Sequence, residues 1–100
     1  MGLLDGRVCV VTGAGRGLGR EHALLLAAEG ARVVVNDLGG AIDGSGEDAG
    51  PAHEVVDEIR AAGGEAIANT DSVTSWAGAQ QLVLDAINAY GRLDVLVNNA

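Results

Sequence analysis

The sequence contains no lysine and no phenylalanine, and it has a single residue each of cysteine, proline, methionine, tryptophan and tyrosine. One cysteine cannot form an internal disulfide, so a reducing, cytoplasmic location is expected. Without lysine, a phosphate-binding loop that ends in Gly-Lys-Ser/Thr is excluded. No apolar run approaches the roughly 18 residues that cross a membrane, and the first six residues have neither the basic region nor the apolar core of a signal peptide.

Basic residues are scarce: six arginines stand against fourteen acidic residues, and the net charge is −8. Binding to nucleic acid or to an anionic membrane surface requires basic surface, so neither partner is expected. Hydrophobic residues make up 48% of the 100 residues, which is enough for the core of one domain.

The first third of the chain has the order strand, glycine turn, helix, strand, acid. The apolar run Arg7–Val11 leads into Thr12–Gly19, which precedes the helix-prone segment Arg20–Glu29. A second β-branched run, Arg32–Val35, ends close to Asp37. A parallel strand–helix–strand unit takes about thirty residues, and an acid about twenty residues past the glycines can bind a ribose hydroxyl. The pattern predicts a dinucleotide-binding unit; a glycine-rich turn without a ligand is the alternative.

The spacing of the glycines identifies the version of this turn. G-x-G-x-x-G fails because its last glycine would fall on Leu18 or Arg20, whereas G-x-x-x-G-x-G fits Gly13, Gly17 and Gly19. Such glycines allow a tight turn, a close approach of pyrophosphate to the backbone and contact between helix and strand. The pyrophosphate is then expected at the amino terminus of the helix.

Alternating elements continue to the end of the sequence. A helix with Pro51 in its first turn stops at Gly63, and a third strand is predicted at Glu65–Thr70. Thr74 or Ser75 can cap the next helix, which ends at Gly91 before a fourth strand at Leu93–Val97. This alternation predicts an α/β fold, a doubly wound parallel sheet of order 3-2-1-4. The carboxyl ends of its strands should converge on one crevice formed by Thr12–Gly19, Asp37, Asp71 and Asn98.

The segment 38–50 between the second strand and the second helix contains five glycines and three acids. Thirteen residues without regular structure are long for a compact domain. Because the segment follows Asp37 directly, it is predicted to lie near the adenosine end of the site. An idle surface insertion is the equal alternative.

Two separated motifs, Thr12–Gly19 and Asn98-Asn99-Ala100, resemble the T-G-x-x-x-G-x-G and N-N-A-G markers of the short-chain dehydrogenase/reductase family. Val33–Gly40 and Ala68–Val73 look like a narrower branch, which includes the hydroxyacyl-CoA dehydrogenase domains of multifunctional β-oxidation enzymes and related bacterial dehydrogenases. The resemblance covers the whole chain and implies residues 1–100 to be the amino-terminal part of a single NAD-binding Rossmann domain.

This resemblance implies an NAD-dependent oxidoreductase that acts on a small-molecule alcohol or ketone. The substrate would be of hydroxyacyl or steroid-like type, and the full-length protein would form a homo-oligomer, either a dimer or a tetramer. Asp71 and Ser72 would face the adenine, Asn98 would seat the adenosine ribose or tie strands together, and Ala100 would act through its backbone. The cofactor-binding residues are therefore predicted to be Gly13, Gly15, Arg16, Gly17, Leu18, Gly19, Asp37, Asp71, Ser72, Asn98 and Ala100.

The family's catalytic serine and Tyr-x-x-x-Lys pair follow the N-N-A-G strand, and no catalytic residue is assigned here. Tyr90 is the only tyrosine, and residue 94 is aspartate instead of lysine. These residues are therefore expected to be the cofactor half of an enzyme and inactive alone. A non-catalytic dinucleotide-binding module, or a partner subunit, is the alternative if the chain truly ends at residue 100.

Asp37 favours NAD over NADP, because its carboxylate would repel the 2′-phosphate of NADP. Arg16 favours NADP. Asp37 is given more weight in predicting the cofactor, because its carboxylate would occupy the position of the phosphate. Five other residues are not assigned to the cofactor site. Cys9 is expected in the core, Trp76 and Tyr90 on the apolar face of the last helix. His22 and His53 have no acid or cysteine at ligand spacing, so no metal site is expected.

Overall fold

Four short strands rich in valine form the centre of the fold. The computed structural model describes residues 2–37 and 50–99, and its strands are β1 (Val8–Val11), β2 (Arg32–Asn36), β3 (Glu65–Asn69) and β4 (Val95–Val97). All are parallel, in the order β3-β2-β1-β4, with Val10 of β1 opposite Val34 of β2 and Leu96 of β4. The predicted doubly wound sheet is confirmed. The first strand is central because the crossovers run outward from it in both directions.

Three helices cover the two faces of the sheet: α1 (Gly17–Ala28), α2 (Gly50–Ala61) and α3 (Trp76–Tyr90). Successive strand residues point to opposite faces, so β1 contributes to two separate layers. Cys9 and Val11 pack with α1 and α2, whereas Val8 and Val10 pack with α3. Cys9 lies fully buried in the core, as predicted, and burial raises the pKa of its thiol. Parallel strands that are covered on both faces need the continuous apolar runs seen in the sequence.

The start of the first helix differs from the sequence prediction. Helix α1 begins at Gly17 instead of Arg20, because Arg16 is the last extended residue and the second half of the glycine motif already forms the first helical turn. Of the two candidate caps of α3, Ser75 is the one that accepts a hydrogen bond, from the backbone N–H of Gly78 at 2.9 Å.

The prediction that Trp76 packs on the core was wrong. Its side chain is 82% exposed, and the buried residues of α3 are Leu82 and Ala86. The buried face is therefore rotated toward Leu82, which leaves Trp76 at the edge of the face. Tyr90 does pack: it is half-buried, and the guanidinium of Arg32 lies 5.8 Å from its ring centroid.

Two sequence interpretations fall outside the described residues: the segment 38–49 and Ala100. Among residues 2–37 and 50–99, no three histidine, cysteine or acidic side chains are grouped so that they could hold a metal ion. Within the same ranges, every helix is too short or too polar to cross a membrane.

Candidate functional site

The predicted site residues gather at one edge of the sheet, where the four parallel strands end. The glycine turn follows β1, Asp37 follows β2, Asp71 lies two residues past β3, and Asn98 follows β4. Strand pairing places these ends next to one another, since Val11 is opposite both Val35 and Val97, and Asn36 is opposite Asn69. The four strand ends therefore lie side by side at the carboxyl edge of the sheet, as the topology predicted.

The glycine turn is tightly packed on its inner side and open on its outer side. A Cβ atom at Gly19 would collide with the carbonyl oxygen of Gly13 and would lie 2.7 Å from Asn99 Nδ2. At Gly17 a Cβ would meet nothing, but the backbone there has a φ of +61°, which favours glycine. Gly17 thus lies on an exposed surface where another molecule can approach the backbone.

Among the described residues, no side chain caps the amino terminus of α1. Arg16 occupies the cap position in an extended conformation, and its side chain makes no capping hydrogen bond. Helix α3, in contrast, is capped by the hydroxyl of Ser75. The first N–H groups of a helix need partners, and together with the helix dipole they attract anions. Arg16, Gly17 and Leu18 are all exposed here, Leu18 to 71%.

The carboxylate of Asp37 contacts the glycine turn directly. Its Oδ2 accepts a hydrogen bond of 2.7 Å from the backbone N–H of Gly15. A side chain at Gly15 would collide with Asp37 and with Pro51 of α2, so only glycine permits this contact. The backbone of Asp37 is also fixed, because its N–H donates to the carbonyl oxygen of Asn69 at 3.0 Å. The negative charge is therefore held against the turn in a defined place.

A buried pair of asparagines lies below the end of β3, and sequence reasoning missed it. Asn36 and Asn69 are 3% and 4% exposed, and Asn36 Nδ2 donates to Asn69 Oδ1 at 2.9 Å. Asn69 Nδ2 in turn donates to the carboxylates of Asp71, at 2.9 Å, and of Asp85 on α3, at 2.6 Å. One signal was available in the sequence: a polar residue ends each of two apolar strands that are neighbours in the predicted sheet.

Ser72 begins the turn that leads into α3. Its hydroxyl lies 2.7 Å from the hydroxyl of Thr74, and its carbonyl oxygen accepts a hydrogen bond of 3.4 Å from Ser75 Oγ. Both Asp71 and Ser72 are half-buried. They follow the end of β3 at the carboxyl edge of the sheet, and their contact with adenine remains a prediction.

Thr12 joins the ends of β1 and β4. Its hydroxyl donates to Asn98 Oδ1 at 3.3 Å and accepts from the backbone N–H of Asn99 at 2.9 Å. Thr12 and Asn98 thus tie the ends of β1 and β4 together. A role for Asn98 at the ribose remains a prediction.

The geometry agrees with what the chain resembles among known proteins. The family profile described as short chain dehydrogenase matches residues 7–100. The chain is 60% identical over 96 residues to the peroxisomal multifunctional enzyme type 2 of Drosophila melanogaster, an alignment that covers 96% of this chain and 16% of that protein. The narrower resemblance to multifunctional enzymes is thereby confirmed.

Two solved structures are similar over nearly the whole chain. A short chain dehydrogenase from Mycobacterium avium has a TM-score of 0.90 and 57% identity, covering 99% of this chain and 36% of that one. A 7α-hydroxysteroid dehydrogenase complexed with NADH and 7-oxo glycochenodeoxycholic acid has a TM-score of 0.83 and 41% identity, covering 95% of this chain and 34% of that one. The chain thus spans 36% or less of the length of each of these three proteins. It belongs to the short chain dehydrogenase family.

Proposed function

We propose that the full-length protein is an NAD-dependent oxidoreductase of alcohols or ketones, and that residues 1–100 are the amino-terminal part of its NAD-binding domain. The observation that carries the proposal is the Asp37 carboxylate, held 2.7 Å from the Gly15 N–H beside an uncapped helix terminus. An acid at this place next to an anion-binding turn is suited to an adenosine ribose joined to a pyrophosphate.

The residues present fit a dinucleotide. Backbone donors at the start of α1 would bind the pyrophosphate, and the open outer side of Gly17 leaves room for it. Asp37 would accept hydrogen bonds from the ribose hydroxyls, and Asp71 with Ser72 would bind the adenine. Asn98 would help to seat the adenosine ribose, and Ala100 would act through its backbone near the nicotinamide half.

When bound, NAD supplies a carbon that accepts or gives a hydride. The residues of this chain bind and orient the cofactor, and none of them is assigned a proton-transfer role. The sequence has no lysine to lower the pKa of a catalytic tyrosine. We place the catalytic groups in the remaining part of the full-length protein.

The substrate proposed is an alcohol or the corresponding ketone of hydroxyacyl or steroid-like type. It is supported by the names of the relatives, one a multifunctional enzyme and one a hydroxysteroid dehydrogenase. We further propose a homo-oligomer. The cytoplasmic location stays a prediction, because the Drosophila relative is named peroxisomal.

The choice of NAD over NADP rests on the charge of Asp37. A 2′-phosphate would come close to this carboxylate, and the repulsion between the two like charges should cost about 1.4 kcal/mol or more, which is about tenfold or more in affinity. Arg16 is exposed beside the turn and would oppose this preference. The Arg16 side chain makes no capping hydrogen bond with α1, whereas the Asp37 carboxylate is hydrogen-bonded to the turn. The position of Asp37 is therefore the better defined of the two.

The test is a pair of dissociation constants, for NAD and for NADP, measured on the full-length protein and on Asp37→Asn and Asp37→Ala variants. Asparagine keeps an acceptor for the Gly15 N–H but loses the charge. Asp37→Asn should therefore bind NADP about tenfold more tightly than the parent does, with the glycine turn intact. Asp37→Ala should weaken NAD binding further, because both the ribose acceptor and the contact with the turn are lost.

Asp57→Asn is the matched control, since Asp57 is exposed on α2 and far along the helix from its amino terminus. Equal affinities for NAD and NADP in the parent protein would overturn the cofactor assignment. Binding of NAD without reduction of the cofactor by any alcohol would instead leave a non-catalytic nucleotide-binding module.

A further inference from the structure

Asn69 uses every hydrogen-bonding position of its side-chain amide. Its Oδ1 accepts from Asn36 Nδ2 and from the backbone N–H of Asp71, both at 2.9 Å. Its two N–H groups donate to Asp71 Oδ2 at 2.9 Å and to Asp85 Oδ2 at 2.6 Å. An amide has two donors and two acceptor positions, so this side chain is fully satisfied although it is 4% exposed.

The orientation of the Asn69 amide is fixed by its neighbours. The reverse orientation would place Oδ1 against two carboxylate oxygens and would direct the N–H groups at two other donors. Both arrangements are unfavourable, so the amide nitrogen faces the acids. A carboxylate at this position could not replace it, since it would add a third anionic group beside two others.

These contacts fix the position of Asp71 through three of its atoms. Its N–H donates to Asn69, its carbonyl oxygen accepts from Asn36 Nδ2 at 3.0 Å, and its Oδ2 accepts from Asn69. Within residues 2–37 and 50–99, its Oδ1 takes part in no hydrogen bond. One carboxylate oxygen of this half-buried residue is thus fixed in position, without a hydrogen-bond partner among the described residues.

Helix α3 supports this arrangement through Asp85. Its Oδ1 accepts from Gln81 Nε2 at 2.8 Å, one helical turn earlier, while its Oδ2 holds the second N–H of Asn69. The network therefore joins β2, β3 and α3 below a single carboxylate. Groups held in advance in their binding geometry lose less entropy when a ligand arrives.

We propose that Asn69, supported by Asn36 and Asp85, is the positioning residue that makes Asp71 selective for a base with an exocyclic amine. The proposal rests on the proposed function, which places adenine at this end of the crevice. The fixed Oδ1 of Asp71 accepts a hydrogen bond from the amine of adenine, and it repels the carbonyl oxygen that hypoxanthine has at the same position. Asn69 does not touch the base and acts through Asp71.

The experiment compares two dinucleotides on the full-length protein, NAD and its hypoxanthine analogue, in which a carbonyl replaces the adenine amine. A hydrogen bond to a charged acceptor contributes enough for the parent to bind NAD about tenfold more tightly than the analogue. In Asn69→Ala this preference should fall close to unity, because NAD binds more weakly while the affinity for the analogue changes little. Asp71→Ala should give the same result.

Asn88→Ala is the matched control, since Asn88 is an exposed asparagine on α3, and its preference should equal that of the parent. Asp85 supplies a second pair of variants that changes a helix residue and leaves the strand intact. Asp85→Ala should lower the preference about threefold by removing one acceptor of Asn69, whereas Asp85→Asn keeps an acceptor oxygen and should retain it.

The outcomes separate this proposal from the proposed function. If Asn69→Ala and Asp85→Ala weaken NAD and the analogue equally, the network is only structural and the proposal is overturned. A parent protein that binds both dinucleotides with equal affinity also overturns it, although NAD binding would stand. A parent that binds neither dinucleotide contradicts both proposals.

Discussion

Gly17 and Gly19 stand two positions apart in the glycine turn, but each requires glycine for a different reason. Gly17 has a φ of +61° and open space around it, so Gly17→Ala should cost about 1–2 kcal/mol of unfolding free energy through backbone strain alone. Gly19 faces Gly13 and Asn99, and Gly19→Ala should cost about 1–3 kcal/mol by pushing α1 away from the turn. Urea denaturation measures both losses.

The same residues offer an internal control. Asparagine adopts positive φ more readily than alanine does, so Gly17→Asn should be more stable than Gly17→Ala. At position 19 asparagine should be worse than alanine, because the larger side chain meets the same backbone oxygen. A Gly19→Ala variant as stable as the parent would contradict the close contact between α1 and the turn.

Some residues of the site could be predicted from the sequence and others could not. The glycines and Asp37 were predictable because their spacing is set locally by one strand–helix–strand unit. The contact of Asp37 with Gly15, and the network around Asn69, depend on how separate strands lie side by side. Asp85 is sixteen residues from Asn69, and only the packing of α3 brings the two side chains together.

At the scale of the elements, the start of α3 gives a direct test of the local signals. Ser75 Oγ accepts from the Gly78 N–H at 2.9 Å, whereas the Thr74 hydroxyl contacts Ser72. Ser75→Ala should therefore lower the unfolding free energy by about 1 kcal/mol, and Ser75→Asp should preserve it. Thr74→Ala is the control and should change little. Urea denaturation measures these changes. If Ser75→Ala and Thr74→Ala lose the same unfolding free energy, the assignment of the cap is wrong.

The order and type of the seven elements in residues 2–37 and 50–99 were predictable, because β-branched runs, helical periodicity and terminating glycines are local signals. The buried face of α3 was not. The helix has apolar residues over much of its circumference, with Val83, Leu84 and Ile87 each at least 36% exposed. Periodicity alone could not decide which of these residues would pack on β1 and β2, and Leu82 was therefore overlooked.

At the scale of the whole molecule, Asp94 links the two ends of the described chain. Its Oδ2 accepts from the Val8 N–H at 2.9 Å, its backbone N–H donates to the Val8 carbonyl, and its Oδ1 accepts from Arg92 at 2.7 Å. Arg7 is a further partner at 3.5 Å. The start of β1 is thereby joined to the segment that leads into β4, 86 residues later.

These contacts make the stability of the molecule depend on acid pH. The Val8 N–H, and after it the Arg92 guanidinium, lower the pKa of Asp94 below its ordinary value of 3.8. A carboxylate with a lower pKa in the folded state stabilises the fold above the unfolded pKa, and this contribution is lost as the pH falls through the folded value. The urea midpoint of Asp94→Asn should therefore fall less steeply than that of the parent as the pH falls from about 5 to about 2, the range in which the unfolded and then the folded carboxyl takes up its proton. Asp57→Asn, an exposed control on α2, should follow the parent curve; if Asp94→Asn follows it too, the link between β1 and β4 does not depend on the charge of Asp94.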